Sequence, residues 1–148
     1  MKINGKRHYL WRAVDHEGEV LQSFVMKTRD QKAALKFLKK AMRRHGQPEV
    51  IATERLRSYG AALKELGADD RQKTGRWLNN RAENSHLAFR RRERAMLRFR
   101  RMRSLQKFAA VHVSVSNHFN QERSLSTRHL FKANRTAALA EWRRFCSA

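Results

Sequence analysis

A chain of 148 residues with 34 Lys and Arg against 13 Asp and Glu carries a formal charge of +21, and such a chain repels itself unless a polyanion lies against it. Its 41% hydrophobic and 9% aromatic residues suffice for one modest core, which excludes a disordered tail. One cysteine, Cys146, excludes an intrachain disulfide framework, and no window has the apolar length of a bilayer span, so the sequence reads as a soluble chain of a reducing, intracellular compartment without a secretory signal.

In chain order, Asn4-Gly5 is a hairpin signal, with only Met1, Lys2 and Ile3 left to form the strand before it. Arg7 to Val14 and Glu19 to Met26 are apolar, β-rich runs, and Asp15-His16-Glu17-Gly18 reads as the turn joining them. Asp30 is placed to cap a helix in which Ala34, Leu38 and Ala41 share a face beside Leu35 and Met42, while Lys36, Lys39, Lys40 and Arg43 face water. Gly46 and Pro48 end it. Val50 to Ala52 follow as a short buried-type strand, then Thr53-Glu54 and a helix from about Ser58 to Leu66, closed by Gly67. This order predicts an α/β fold with antiparallel strands first and a parallel addition after the crossover helix.

Ala68 to Gly75 is polar and reads as a loop. Helical spacing returns at about Asn80, with Phe89, Met96 and Phe99 on one stripe. Ser104 stands either at a helix break or within a helix. Further helical runs cover Leu105 to Phe119 and roughly Thr136 to Phe145, where Leu139 and Trp142 share a face.

Charge is uneven along this frame. From Arg71 to Gln121 the acids are Glu83 and Glu93 alone, while eight arginines stand between Arg90 and Arg103. Solvated helices usually mix their signs, so a nucleic-acid backbone is the expected partner of this run. Ribosomal and chromatin-type proteins share that property, and charge by itself selects no function. Glu54 follows a strand immediately, where open α/β sheets place their site residues, and a helix starting at Asn80 could bring Glu83 to face it. Two such carboxylates suit a hard divalent cation, which polarises a phosphodiester and generates an attacking hydroxyl.

Three segments resemble the bacterial insertion-sequence transposases of the DDE class: N-G-K-x-x-Y-L-x-R-A-V-D from Asn4 to Asp15, T-E-R-L-R-S-Y-G from Thr53 to Gly60, and N-N-R-A-E-N-S-H from Asn79 to His86. The third is the most specific, since it joins an Asn pair, the family's third catalytic acid and a histidine. The resemblance runs from about Ile3 to Phe145 and implies a ribonuclease H-like core: a mixed sheet beginning with antiparallel hairpin strands, flanked by helices, with a long basic helical carboxyl-terminal part. It implies Glu54 and Glu83 as catalytic and metal-holding carboxylates, and Mg²⁺ or Mn²⁺ as cofactor. His86 is then a site neighbour, and Arg90 matches the basic residue that follows the acid in the family. Glu83, His86 and Arg90 have i, i+3, i+7 spacing and would share a helical face. Arg90, Arg91 and Arg92 are the expected DNA contacts, with Arg94, Arg98 and Arg101 as additions.

Two departures qualify the match. Glu54 stands where the family has its second catalytic Asp, and one added methylene displaces the ligand oxygens by on the order of 1.5 Å, which Mg²⁺ tolerates badly. The family's first catalytic Asp lies on the strand before the Asn-Gly turn, and the chain starts after it; the family's amino-terminal helix-turn-helix region has no counterpart either. Residues 1–148 are thus expected to be a partial catalytic domain, amino-terminally truncated and catalytically impaired, or a chain whose true start lies upstream. Asp15 is roughly level with the missing acid, but the simpler expectation makes it the first residue of its turn.

The resemblance further implies DNA ends and target DNA as partners, no membrane, the bacterial cytoplasm at the nucleoid, and a homo-oligomer or an association with full-length transposase. The competing class is a non-catalytic nucleic-acid-binding protein that uses only the basic helices. Under it, Glu54 and Glu83 are helix-start acids favoured by the dipole, His86 is a hydrogen-bonded surface histidine, and the arginines are a solvated face. Trp11, Trp77 and Trp142 read as packing residues, with base stacking open to Trp77.

Overall fold

The computed structural model describes residues 1–54, 56–75, 77–96, 99–119 and 126–147. Its elements are β1 (Lys2–Ile3), β2 (Lys6–Arg7), β3 (Tyr9–Val14), β4 (Val20–Met26), α1 (Gln31–His45), β5 (Ile51–Ala52), α2 (Arg57–Glu65), a 3-10 turn (Asp69–Arg71), β6 (Gln72–Lys73), α3 (Asn80–Ala95), α4 (Met102–Phe119) and α5 (Arg128–Ser147). This is a mixed α/β chain with five α-helices and small sheets among the described residues.

The expected turns form for identifiable reasons. Asn4 and Gly5 take φ values of 48° and 76°, the pair of positive angles that a two-residue hairpin between β1 and β2 requires. In the turn joining β3 and β4, the Asp15 carboxylate accepts hydrogen bonds from the backbone N–H of Glu17 and Glu19 at 2.9 and 2.8 Å. Asp30 caps α1 by accepting from the Ala33 N–H at 2.8 Å, and that bond holds its carboxyl below the usual range.

Alternation along β3 and β4 sorts side chains onto two faces, and Trp11 stands opposite Phe24 in the antiparallel register. On one face Trp11 packs with Ala33, Ala34, Phe37 and Leu38 of α1, with Ala62 and Leu63 of α2, and with Ala68; Tyr9, Ala13, Phe24 and Met26 join them. The Trp11 ring lies 5.8 Å from that of Phe37 and 5.3 Å from that of Tyr59, centroid to centroid. On the other face Val25 packs with Ile3, Phe89 of α3, and Leu105 and Ala109 of α4, beside Leu10, Phe99 and Phe108. The hairpin therefore lies between two helical layers. Leu63 and Phe89 are both 0% exposed, and full burial of such a side chain contributes roughly 1.5–3 kcal/mol.

A polar clamp holds α4 to the sheet. Gln106 accepts from the Val25 N–H at 2.8 Å and donates to the Ser23 carbonyl at 3.0 Å, and Asn117 accepts from the Val20 N–H and donates to its carbonyl, both at 2.9 Å. Two side-chain amides on one helix thus occupy β4 backbone groups that a neighbouring strand would otherwise take. α5 leans on α4 through the His118 ring, whose Nε2 lies 2.7 Å from the Ala138 carbonyl oxygen, and through Phe119 and Trp142.

Four expectations change. The polar stretch from Ala68 to Gly75 contains β6, and β5 pairs in parallel with it rather than joining the hairpin strands, so the described strands form three two-stranded sheets and not the one mixed sheet expected. α3 ends at Ala95; Met96 is exposed, and Phe99 packs against Phe108 from outside the helix rather than continuing the stripe of Phe89. α4 starts at Met102, ahead of the expected Leu105, with Ser104 inside the helix. The last helix starts at Arg128, earlier than Thr136; its first two turns mix cations with Leu130, Phe131 and Ala133, and of these only Phe131 is drawn inward, which leaves a weak apolar stripe. Among the described residues no helix is long and apolar enough to cross a membrane.

Candidate carboxylate site and nucleic-acid interface

Glu54 is placed by β5 and lies outside α2, whose N-cap, Leu56, makes no side-chain capping bond. Its carboxylate is held by Arg29, Nη2 to Oε2 2.8 Å, with both side chains about half exposed. Glu54 is thus an ion-paired residue in a loop rather than a capping acid. The pKa of Tyr59, in the first turn of α2, is pushed up to about 12 by burial first and by the Glu54 carboxylate second.

Glu83 is exposed in the first turn of α3. His86, one turn along, is pushed down to about 4, chiefly by burial and then by the charges of Arg12, Arg29 and Arg90. The same Arg29 that pairs with Glu54 therefore acts on the α3 face bearing Glu83, His86 and Arg90. At neutral pH His86 is an uncharged imidazole.

The residue that fixes α3 to the sheet is one to which sequence reasoning assigned no role. Arg12 is only 6% exposed, with Nη1 donating to the Ser85 carbonyl at 2.6 Å, Nη2 3.3 Å from His112 Nδ1, and the guanidinium 5.3 Å from the Phe89 ring centroid. Burial lowers its pKa to about 10. A cation held by a carbonyl, an imidazole and a ring, with Nε unpaired, is an unusual way to anchor a helix. The available signal was a charged residue at an inward-facing position of an otherwise apolar strand.

The arginine run does not form one surface. Successive helical residues turn by about 100°, so Arg90, Arg91 and Arg92 point in three directions, and Arg94 shares a side with Arg90 and Arg91 but not with Arg92. Arg90 is paired with Glu93. Arg91 and Arg94 are exposed, and Arg92 lines a cleft of about 300 Å³ between α3 and α4 with Ala88, His112, Val115, Ser116 and Phe119. Arg101 is exposed just before α4, and Arg98 lies outside the described residues. Trp11 is core, Trp142 packs on His118 and Phe119, and Trp77 is 71% exposed.

A family model described as a DDE domain, of the IS240 transposase type, matches residues 1–122 of the chain. The chain belongs to the DDE transposase family. Two transposases of Staphylococcus aureus, for the insertion sequence-like element IS431mec and for the element IS257 in transposon Tn4003, are each 33% identical over 91 residues, which is 58% of this chain and 41% of the relative. An uncharacterized protein of Yersinia pseudotuberculosis, pYV0051, is 31% identical over 69 residues, 45% of this chain and 64% of its own. The chain thus spans about two fifths of the curated transposases it matches, 41% of their length. No solved structure matches it.

DDE domains use a divalent metal, and this chain offers hard oxygen donors at Glu54 and Glu83. These two do not make a complete cation site. Glu54 is engaged by Arg29, and among the described residues no group of three His, Cys, Asp or Glu gathers closely enough to hold a metal ion.

Proposed function

We propose that this chain acts in DNA transposition as a ribonuclease H-like DDE core with an impaired catalytic centre. Membership of the DDE family over residues 1–122 carries the reading. Support for the core comes from the hairpin strands followed by helix, strand and helix, with Glu54 directly after β5 and Glu83 in the first turn of α3. In an intact relative, three carboxylates would hold Mg²⁺ or Mn²⁺ for strand cleavage and transfer. Glu54 and Glu83 stand at two of those places, the first a methylene too long and neutralised by Arg29. Arg91, Arg92, Arg94 and Arg101 are the DNA backbone contacts on this reading, with Arg90 joining them once DNA phosphate displaces Glu93, and Arg98 completing the run. The partners are element ends and target DNA, with oligomerisation through a second copy or a full-length transposase, in the bacterial cytoplasm at the nucleoid.

The Arg29–Glu54 pair favours a second reading, in which the protein binds DNA without cutting it. One experiment separates the two. Purified protein is incubated with supercoiled plasmid in Mg²⁺, in Mn²⁺ and in chelator, beside Glu83→Gln. A catalytic remnant gives slow metal-dependent nicking that the substitution abolishes. A binding module gives none, and its affinity for duplex DNA is the same in chelator.

A further inference from the structure

The first helix carries a feature that neither the carboxylate site nor the α3 arginines use. Lys32, Lys36, Lys39 and Arg43 follow i, i+4, i+7, i+11 spacing, so all four lie within a narrow stripe along α1. All four are exposed, and none makes an ion pair among the described residues. The helix contains no acidic residue at all, and the Lys32 charge is felt by the carboxylate of Asp30, its N-cap. Each neighbouring pair on the stripe is therefore a like-charge pair that destabilises the helix. Lys40 stands apart, because its ammonium is drawn back over the Phe24 ring, 3.7 Å from the centroid.

The stripe is held rigidly. The opposite face of α1 is buried through Ala33, Ala34, Phe37 and Leu38, which fixes the helix against β4 and α2. At about 1.5 Å per residue the four cations span roughly 16 Å, the axial length of about five phosphates on one strand of a duplex. α5 carries a shorter stripe, exposed Arg128, Lys132 and Arg135, which ends at exposed Leu139 where a fourth cation would stand. The α1 stripe also begins in the first turn of its helix, three residues after Arg29, the residue that holds Glu54.

We infer that the Lys32, Lys36, Lys39 and Arg43 face of α1 is a second DNA-backbone-binding surface, occupied by a duplex segment other than the one on α3. α1 and α3 lie on opposite faces of the β3–β4 hairpin, separated by a sheet and their own helical layers, so one straight duplex does not reach both outer surfaces. The inference rests on DNA as the partner of this chain and on the α3 arginines as the seat of its first duplex, and not on the carboxylates.

The test compares three forms of the full chain: the wild type, a variant with Lys32→Gln, Lys36→Gln, Lys39→Gln and Arg43→Gln, and a charge-matched control with Lys2→Gln, Lys6→Gln, Lys64→Gln and Lys73→Gln at exposed sites on four other elements. Circular dichroism first establishes that each is folded, and a Lys32→Arg, Lys36→Arg, Lys39→Arg form serves as charge-retaining rescue. Two readouts follow on duplex DNA: the salt dependence of affinity, and capture of a second labelled duplex by protein already seated on a bead-bound one. The α1 variant is expected to keep single-duplex binding with its log–log salt slope nearly unchanged and to lose second-duplex capture, which in the wild type should itself have a slope of up to about 3–4 at about 0.9 per phosphate contact. The control and the rescue form keep capture. Equal loss in the control, or full capture by the α1 variant, overturns the proposal. If the wild type binds no duplex at all, the DNA reading of the whole protein fails, and the α1 surface with it.

Discussion

His86 shows how a single side chain can report on its surroundings. Burial and three arginines push its pKa down to about 4 from 6.5, and His112 is lowered as well, by burial first and then by Arg12. The unfolded chain therefore takes up protons before the folded one as the pH falls below about 6.5, so stability is full above that value and declines toward pH 4. The urea midpoint at pH 5 is expected to lie below that at pH 7.5, and His86→Gln should narrow the gap. An unchanged gap would place the acid sensitivity elsewhere. At this scale the sequence was a partial guide. It marked Glu54, Glu83 and His86 through their motifs, but a motif is local, while Arg29 on Glu54 and Arg12 on the Ser85 carbonyl join residues far apart in the chain. Consecutive arginines likewise read as one patch along a line of text, and become a collar around α3 once each residue turns by about 100°.

Among the elements, those with their own signals were legible. Asn4-Gly5 and Asp15 to Gly18 set their turns by local chemistry, and Asp30 and Gly46 bracket α1 closely. β6 was not legible, because Gln72 and Lys73 have no strand composition and gain their state from backbone pairing with β5. The start of α5 was missed for a related reason: Leu130, Phe131 and Ala133 are scattered among its opening cations and make no clear apolar stripe. The attachment of α4 to β4 is a further case, since Gln106 and Asn117 are ordinary helix-surface residues until the strand edge lies beside them. Replacing either by Leu leaves buried backbone N–H and carbonyl groups without partners, and each change should cost about 1–3 kcal/mol in chemical denaturation. Costs well under that would mean that water takes over the bonds. Since an unpaired strand edge is an aggregation template, both variants should also precipitate at lower concentration than the parent.

For the molecule as a whole, the charge of +21 acts on folding and binding with opposite signs in salt. Screening relieves self-repulsion and stabilises the fold, while the same ions reduce the free energy gained on counterion release at DNA. The melting temperature is expected to rise between low and physiological salt as DNA affinity falls, and a melting temperature indifferent to salt would mean that the basic surfaces are too dispersed to repel. The amide clamp has a consequence for how the layers part. Val20 and Val25 donate their backbone N–H groups to α4 side chains and not to β3, so their amide protons are sealed only while α4 is seated. In hydrogen exchange they form a clock for release of the α3–α4 layer, running independently of the hairpin amides that wait for the sheet itself to open.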